Sequence, residues 1–119
     1  MKAVLLGAYA AFAYQAQPVR TITELEMHAV ADAVRDNLRD SESARFRWLP
    51  EVASSGMYCG LVNAKNGYGG YSGYMVFSAS IAHYGKSISV SRIHIGSDDA
   101  ESEELLKECQ QWGIDSQSQ

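Results

Sequence analysis

Cysteine is scarce in this chain: only Cys59 and Cys109 occur among 119 residues. No Cys-x-x-Cys pair exists, which excludes a dithiol redox motif, and the spacing fits no zinc pattern. Histidine is nearly as sparse. His28, His83 and His94 make neither His-x-His nor His-x-x-x-His, whereas a metal site needs three or four convergent ligands. Ordinary surface or strand histidines are expected, with His83 and His94 close to each other across a hairpin. Basic tracts are also missing, and 14 acidic against 10 basic residues leave a net charge of −4. That balance argues against sequence-independent nucleic-acid binding and against docking on anionic membranes, both of which need clustered Lys and Arg. The glycines from Gly67 to Gly73 lack the following helix that would make a phosphate cradle. With no catalytic signature present, neither enzyme activity nor a cofactor is expected.

What is present is enough for one folded domain. Hydrophobic residues make up 46% and charged residues 20% of the chain. The expected division is an N-terminal apolar segment or signal peptide over 1–16, one α+β domain over 17–115 and a flexible tail over 116–119. Lys2 followed by the apolar run Ala3 to Ala13 is too short to span a bilayer. Ala11-Phe12-Ala13 offers the small-x-small pattern of a signal-peptidase site. Periplasmic or secreted localisation follows. The alternative is a cytoplasmic protein in which residues 3–13 belong to the fold. Cys59 and Cys109 are the only possible intramolecular disulfide pair. Oxidised, they close a loop of about 50 residues, for which chain entropy gives about 4 kcal/mol. In a reducing cytoplasm both are expected as buried thiols.

Residues 17–21 read as a lead-in. Thr21 with Glu24, and Thr23 with Glu26, each fit a capping box opening a helix of about four turns. Met27, Val30, Ala31, Val34 and Leu38 form its apolar stripe. Residues 40–43 break the period, residues 47–49 begin a strand, and Pro50 confines that strand to an edge or an end. Residues 53–56 form a turn. Alternation over 57–64 and 74–84 predicts strands, with Tyr84-Gly85-Lys86 as a tight turn. Over 87–95 the phase changes: Ile88 and Val90 are even, Ile93 and Ile95 odd. A bulge near Ser91 or Arg92 would bring all four to one side. Ser97 or Asp98 caps a last helix with Leu105, Leu106, Cys109 and Trp112 on its apolar face. The acidic residues at 98–104 serve capping and solvation. Trp48 and Trp112 are expected as core anchors, or Trp112 beside Tyr58 at an exposed patch. The expected fold is therefore an N-terminal helix, an antiparallel sheet of three to four strands and a C-terminal helix, with both helices on one face.

The least ordinary segment runs Cys59-Gly-Leu-Val-Asn-Ala-Lys-Asn-Gly-Tyr-Gly-Gly-Tyr-Ser-Gly-Tyr74. It reads either as a long hairpin connection or as a recognition loop. Tyrosines present apolar area with a polar tip at small entropic cost, which suits contact with a protein or a glycan. Candidate binding residues are Asn63, Lys65, Asn66, Tyr68, Tyr71 and Tyr74. Cys59-Gly-Leu-Val-Asn-Ala-Lys-Asn66, then Gly69-Gly-Tyr71 and Gly73, resembles the signature of a family of small exported bacterial proteins of uncharacterised function. The upstream segment Asp40 to Phe46 resembles that family's Asp-Pro-x-Ser-Ala-x-Phe, with Ser41 in place of the proline. The resemblance implies an exported domain and assigns no catalysis. The expected partner is an envelope protein or a glycan. The other readings are a minor enzyme using Cys59 or the His83/His94 pair, and a structural subunit of an envelope assembly that pairs a strand edge near Arg47 to Leu49.

Overall fold

The computed structural model describes residues 19–65, 68–71 and 73–113. The expectations for residues 1–16, for Asn66 and for the tail at 116–119 lie outside the described residues. The elements are β1 (Val19–Thr21), α1 (Glu24–Arg35), a 3-10 turn (Ser41–Ser43), β2 (Arg45–Arg47), β3 (Glu51–Ala53), β4 (Met57–Asn63), β5 (Met75–Tyr84), β6 (Ser87–Ile95) and α2 (Asp99–Gln111). The six strands form one antiparallel sheet in the order β1-β3-β4-β5-β6, with β2 also pairing β4.

The α+β class and the antiparallel sheet match expectation, but the strand count and the N-terminal element do not. The described chain opens on a strand rather than a helix, and there are six strands rather than three or four. Strands β1, β2 and β3 are three residues each, too short for a period of two to declare itself. Strands β2 and β3 are two lengths of one interrupted strand along β4. Arg47 lies opposite Leu61 and Val52 opposite Tyr58, so five steps on one side face three on the other. The extra residues bulge out around Pro50, which has no N–H for the ladder. The stranded carbonyls find other donors: the Tyr58 hydroxyl donates to the Leu49 oxygen at 2.7 Å, and the Ile22 N–H to the Pro50 oxygen at 2.8 Å. Burial raises the Tyr58 phenol above its usual pKa, and it stays a donor.

The helices lie on opposite faces, which corrects the single-faced arrangement. Tyr58 and Val62 of β4, with Phe77 and Ile81 of β5, pack with Val30 and Val34 of α1. Cys59 and Val76 pack with Leu105 and Cys109 of α2. β4 and β5 are covered on both sides, so their alternation marks two buried faces rather than the one buried face that a period of two suggests. Tyr58 and Trp112 consequently belong to different faces and share no patch. Both tryptophans are half-buried and packed against the core: Trp48 lies 6.2 Å from Tyr58 and 6.4 Å from Phe77, ring centre to ring centre, and Trp112 packs against the cluster around Leu105.

Helix α1 starts as expected. The Glu26 N–H donates to Thr23 Oγ1 at 3.2 Å and the Thr23 N–H donates to Glu26 Oε1 at 3.0 Å, a complete capping box. The helix ends at Arg35, earlier than the stripe implied, and Leu38 reaches the core from beyond it. The bulge in β6 is where the phase change put it. Ser78 faces His94 and Ser80 faces Ser91, and Arg92 takes a positive φ of 54°. Ile88, Val90, Ile93 and Ile95 all pack towards the α1 core as a result. Asp98 caps α2 by accepting the Glu101 N–H at 2.8 Å. No helix among the described residues is long and apolar enough to cross a membrane.

Cys59 on β4 and Cys109 on α2 form a disulfide, with Cα atoms 6.3 Å apart. Gly60, next to it, is held small by close packing. A Cβ there would lie 2.6 Å from Cζ of the fully buried Phe77. Gly60→Ala must displace that ring and is expected to cost about 1–3 kcal/mol. Urea unfolding at neutral pH measures it; an unchanged midpoint would show that Phe77 has room to yield.

Candidate functional site

The pairing of β4 with β5 continues past the strand ends to a bridge between Lys65 and Tyr71, with Tyr68, Gly69 and Gly70 at the tip beyond it. The tip is tied to the turn before β2. The Lys65 N–H donates to Ser43 Oγ at 3.0 Å, the Tyr71 hydroxyl donates to the Ser43 carbonyl at 2.9 Å, and Ser43 Oγ donates to the Asp40 carbonyl at 2.9 Å. Within the hairpin, the Gly73 N–H donates to Asn63 Oδ1 at 3.1 Å. Three of these four bonds join residues ten or more apart in sequence, so they fix the hairpin against the turn before β2 and across its own arms rather than shape it locally. Tyr68, at the tip, is 99% exposed.

Beside the hairpin stands a feature that the sequence reading missed. Residues 45–48 read Arg-Phe-Arg-Trp, and β2 puts the two arginines on one face of the sheet and Phe46 on the other. The Arg45 guanidinium lies 4.0 Å from the centre of the Tyr71 ring, and that of Arg47 lies 4.3 Å from the Tyr74 ring. The Lys65 ammonium is 6.0 Å from Tyr71. Each stacked pair at a wet site is worth about 0.5–1 kcal/mol, enough to hold a guanidinium in place without consuming its N–H donors. None of the three cations has a carboxylate partner among the described residues. On the opposite face Phe46 stacks on Trp48, ring centres 5.0 Å apart and nearly parallel at 7°. The two rings, with Met27 and Ala31 of α1, floor an open groove of about 490 Å³ edged by Glu24, His28 and Arg35. Alternation of cation and aromatic over 45–48 was the available signal, hidden by the shortness of the strand.

The six predicted binding residues thus divide. Tyr71 and Tyr74 join Arg45 and Arg47 in one surface, Lys65 adjoins it, and Tyr68 projects from the tip. Asn63 is half-buried and orients the hairpin through Gly73. Asn66 lies outside the described residues.

The histidines are not together. His94 faces Ser78 and His83 faces Ile88, five residues apart along β5, or about 17 Å. His94 Nε2 is 3.4 Å from Glu101, and His83 Nε2 is 2.7 Å from Glu26 Oε2. Glu26 is fully buried and is gripped by both Arg20 nitrogens, Nη1 to Oε1 at 2.8 Å and Nη2 to Oε2 at 2.6 Å. Those hydrogen bonds from Arg20 outweigh desolvation. With His83 and the Thr23 N–H, they hold the Glu26 carboxyl well below the usual carboxylate range. The same contact raises the Arg20 pKa. This cluster ties β1, α1 and β5 together, and its carboxylate has no open side. Cys59 is in the disulfide and carries no thiol. Among the described residues no three His, Cys, Asp or Glu side chains are placed to hold a metal ion.

Comparison of the chain with protein-family models, curated proteins and solved structures finds no match.

Proposed function

We propose that this chain is a small exported domain that acts by binding, and that its contact surface is the hairpin from Asn63 to Tyr74 together with the arginine face of β2. The observation that carries this reading is the tethered tip. A tyrosine is held 99% exposed on a loop fastened through Ser43 and Asn63, rather than folded back onto the core. Fastening a loop lowers the entropy lost when a partner orders it, and an exposed tyrosine offers a large contact area with a polar end. The buried Cys59–Cys109 bond supports an oxidising compartment such as the periplasm or the exterior. The resemblance of the motif to small exported bacterial proteins points the same way. The partner on this reading is an envelope protein or a glycan.

A catalytic role through Cys59 lacks the free thiol it requires, and one through His83 and His94 lacks their proximity. The test uses the disulfide-bonded protein on a solid support, exposed to a bacterial envelope extract and to a panel of cell-wall glycans. Tyr68→Ala is expected to lower retention of the captured component about tenfold or more, the range of an interfacial hot spot, with the melting temperature unchanged. Equal retention by the variant would refute the assignment of the tip as the contact.

A further inference from the structure

Strand β2 has β4 on one side, and no described strand pairs with its other edge. An open edge offers backbone donors and acceptors to an incoming chain. Two side-chain arrays lie beside this edge, one on each face of the sheet, with the arginines reaching over β4 to tyrosines of the β5 arm. On one face Arg45 and Arg47 stand two residues apart, about 7 Å along the strand, each stacked on a tyrosine and neither paired with a carboxylate among the described residues. On the other face the Phe46–Trp48 pair opens into the groove beside α1.

We infer that the partner contacts this edge as an extended acidic polypeptide segment, with carboxylates alternating with apolar side chains, added as a strand along β2. The inference rests on the binding reading above and names the chemistry of its partner. An extended peptide carries side chains to opposite faces with the same period of two as β2. Laid against β2, its alternate carboxylates meet Arg45 and Arg47, and the residue between them turns to Phe46 and Trp48. A stacked guanidinium keeps its planar fork pointing outward, which matches a carboxylate through two parallel N–H···O bonds. Charge distribution favours the same occupant: Arg45, Arg47 and Lys65 form a cationic cluster in a chain whose net charge is −4. A nucleic acid would meet that net repulsion and has no peptide edge to continue the sheet. An acidic glycan could reach the arginines but has no second face with apolar side chains to fill the groove.

Trp48 lies in the groove while Trp112, the other tryptophan, packs on the opposite face, so a change in tryptophan emission on adding ligand reports occupancy, and calorimetry supplies the affinity. The probe is a blocked nine-residue peptide alternating glutamate and valine. Its reference is the isomer of identical composition with all glutamates at one end. The alternating peptide is expected to bind about tenfold or more tightly than the isomer, and to shift Trp48 emission. Arg45→Glu with Arg47→Glu is expected to lower affinity about tenfold or more. Arg45→Lys with Arg47→Lys, which keeps charge and loses the fork, is expected to fall between. Both arginines are exposed, so the variants leave the core and the disulfide intact. Equal affinity for the two isomers, undiminished affinity in the glutamate variant, or no binding of the alternating peptide overturns the inference. Measuring capture by Tyr68→Ala in parallel separates the two conclusions. Capture lost in Tyr68→Ala while the peptide fails to bind removes only the acidic-strand inference. Capture unchanged in Tyr68→Ala removes the tip as the contact and leaves the peptide result to stand alone.

Discussion

Replacing Cys59 and Cys109 together by alanine is expected to lower the unfolding free energy by about 4 kcal/mol. The bond closes a loop with a sequence separation of 50, and opening it returns that freedom to the unfolded chain. The magnitude matters more here than in a larger protein, because a chain of this size buries a modest fraction of its surface. Helix α2 depends on the bond in particular. Its fully covered apolar side chains are Leu105 and Cys109, with Leu106 and Trp112 only partly covered. Without the bond, two cysteine side chains also leave the interface between α2 and β4. The expected signature is therefore local as well as global: amides over 99–111 exchange faster in the variant than those of β4 and β5, and the urea midpoint falls. A loss below about 1 kcal/mol would mean that packing of α2 holds without the closure. Both sulfurs are fully buried, so reductant should act on the native protein only through opening of α2 from the sheet.

Local signals in the sequence translated well. Of the two capping boxes in the sequence Thr23/Glu26 is the one formed, of Ser97 and Asp98 it is Asp98 that caps, and the stripe holds from Met27 to Val34 while Leu38 falls beyond the helix; these signals depend on neighbours within one turn. The β6 bulge was legible because a strand cannot change phase without inserting a residue, and Arg92 is in that insertion. Pairings between distant short segments were not legible. Three-residue strands carry too little alternation to separate from loops, so β1 reads as part of a lead-in, and of β3 only Ala53 is assigned, to a turn. The two-sided burial of β4 and β5 masked which face each helix takes. At the candidate surface, the hairpin tyrosines were visible in the sequence. Their stacking partners were not, since Arg45 and Arg47 come from a segment 26 to 27 residues earlier than Tyr71 and Tyr74. Glu26 was recognised as a capping residue, yet its second role depends on Arg20 and His83, which no helical period connects to it.

That second role sets the other large expectation. Arg20→Ala should destabilise the protein by about 2–3 kcal/mol, below the 3–5 usual for breaking a buried pair because Arg20 is itself 46% exposed and solvent already screens it. Glu26 remains buried with only His83 and the Thr23 N–H to meet its charge. Glu26→Gln should cost less, since its amide oxygen still accepts from Arg20 or Thr23 and the freed guanidinium turns to water. The acid limb distinguishes the two ends of the pair. The folded-state pKa of Glu26 lies below its unfolded value, so its contribution is complete above the unfolded pKa, about 4.3, and is lost as pH falls through the folded one. Wild-type stability should therefore decline from about pH 5 downward, more steeply than that of Glu26→Gln, which has no such carboxylate to protonate. Urea midpoints at pH 7 and across the acid range measure both effects. Parallel decline of wild type and Glu26→Gln would show that other carboxylates account for the acid limb. The expected local consequence follows from where Arg20 stands. Strand β1 has no buried side chain among its three residues, so its hold on β3 depends on ladder bonds and on this one guanidinium. Losing Arg20 should raise amide exchange at Val19–Thr21 before any change appears in β4 or β5.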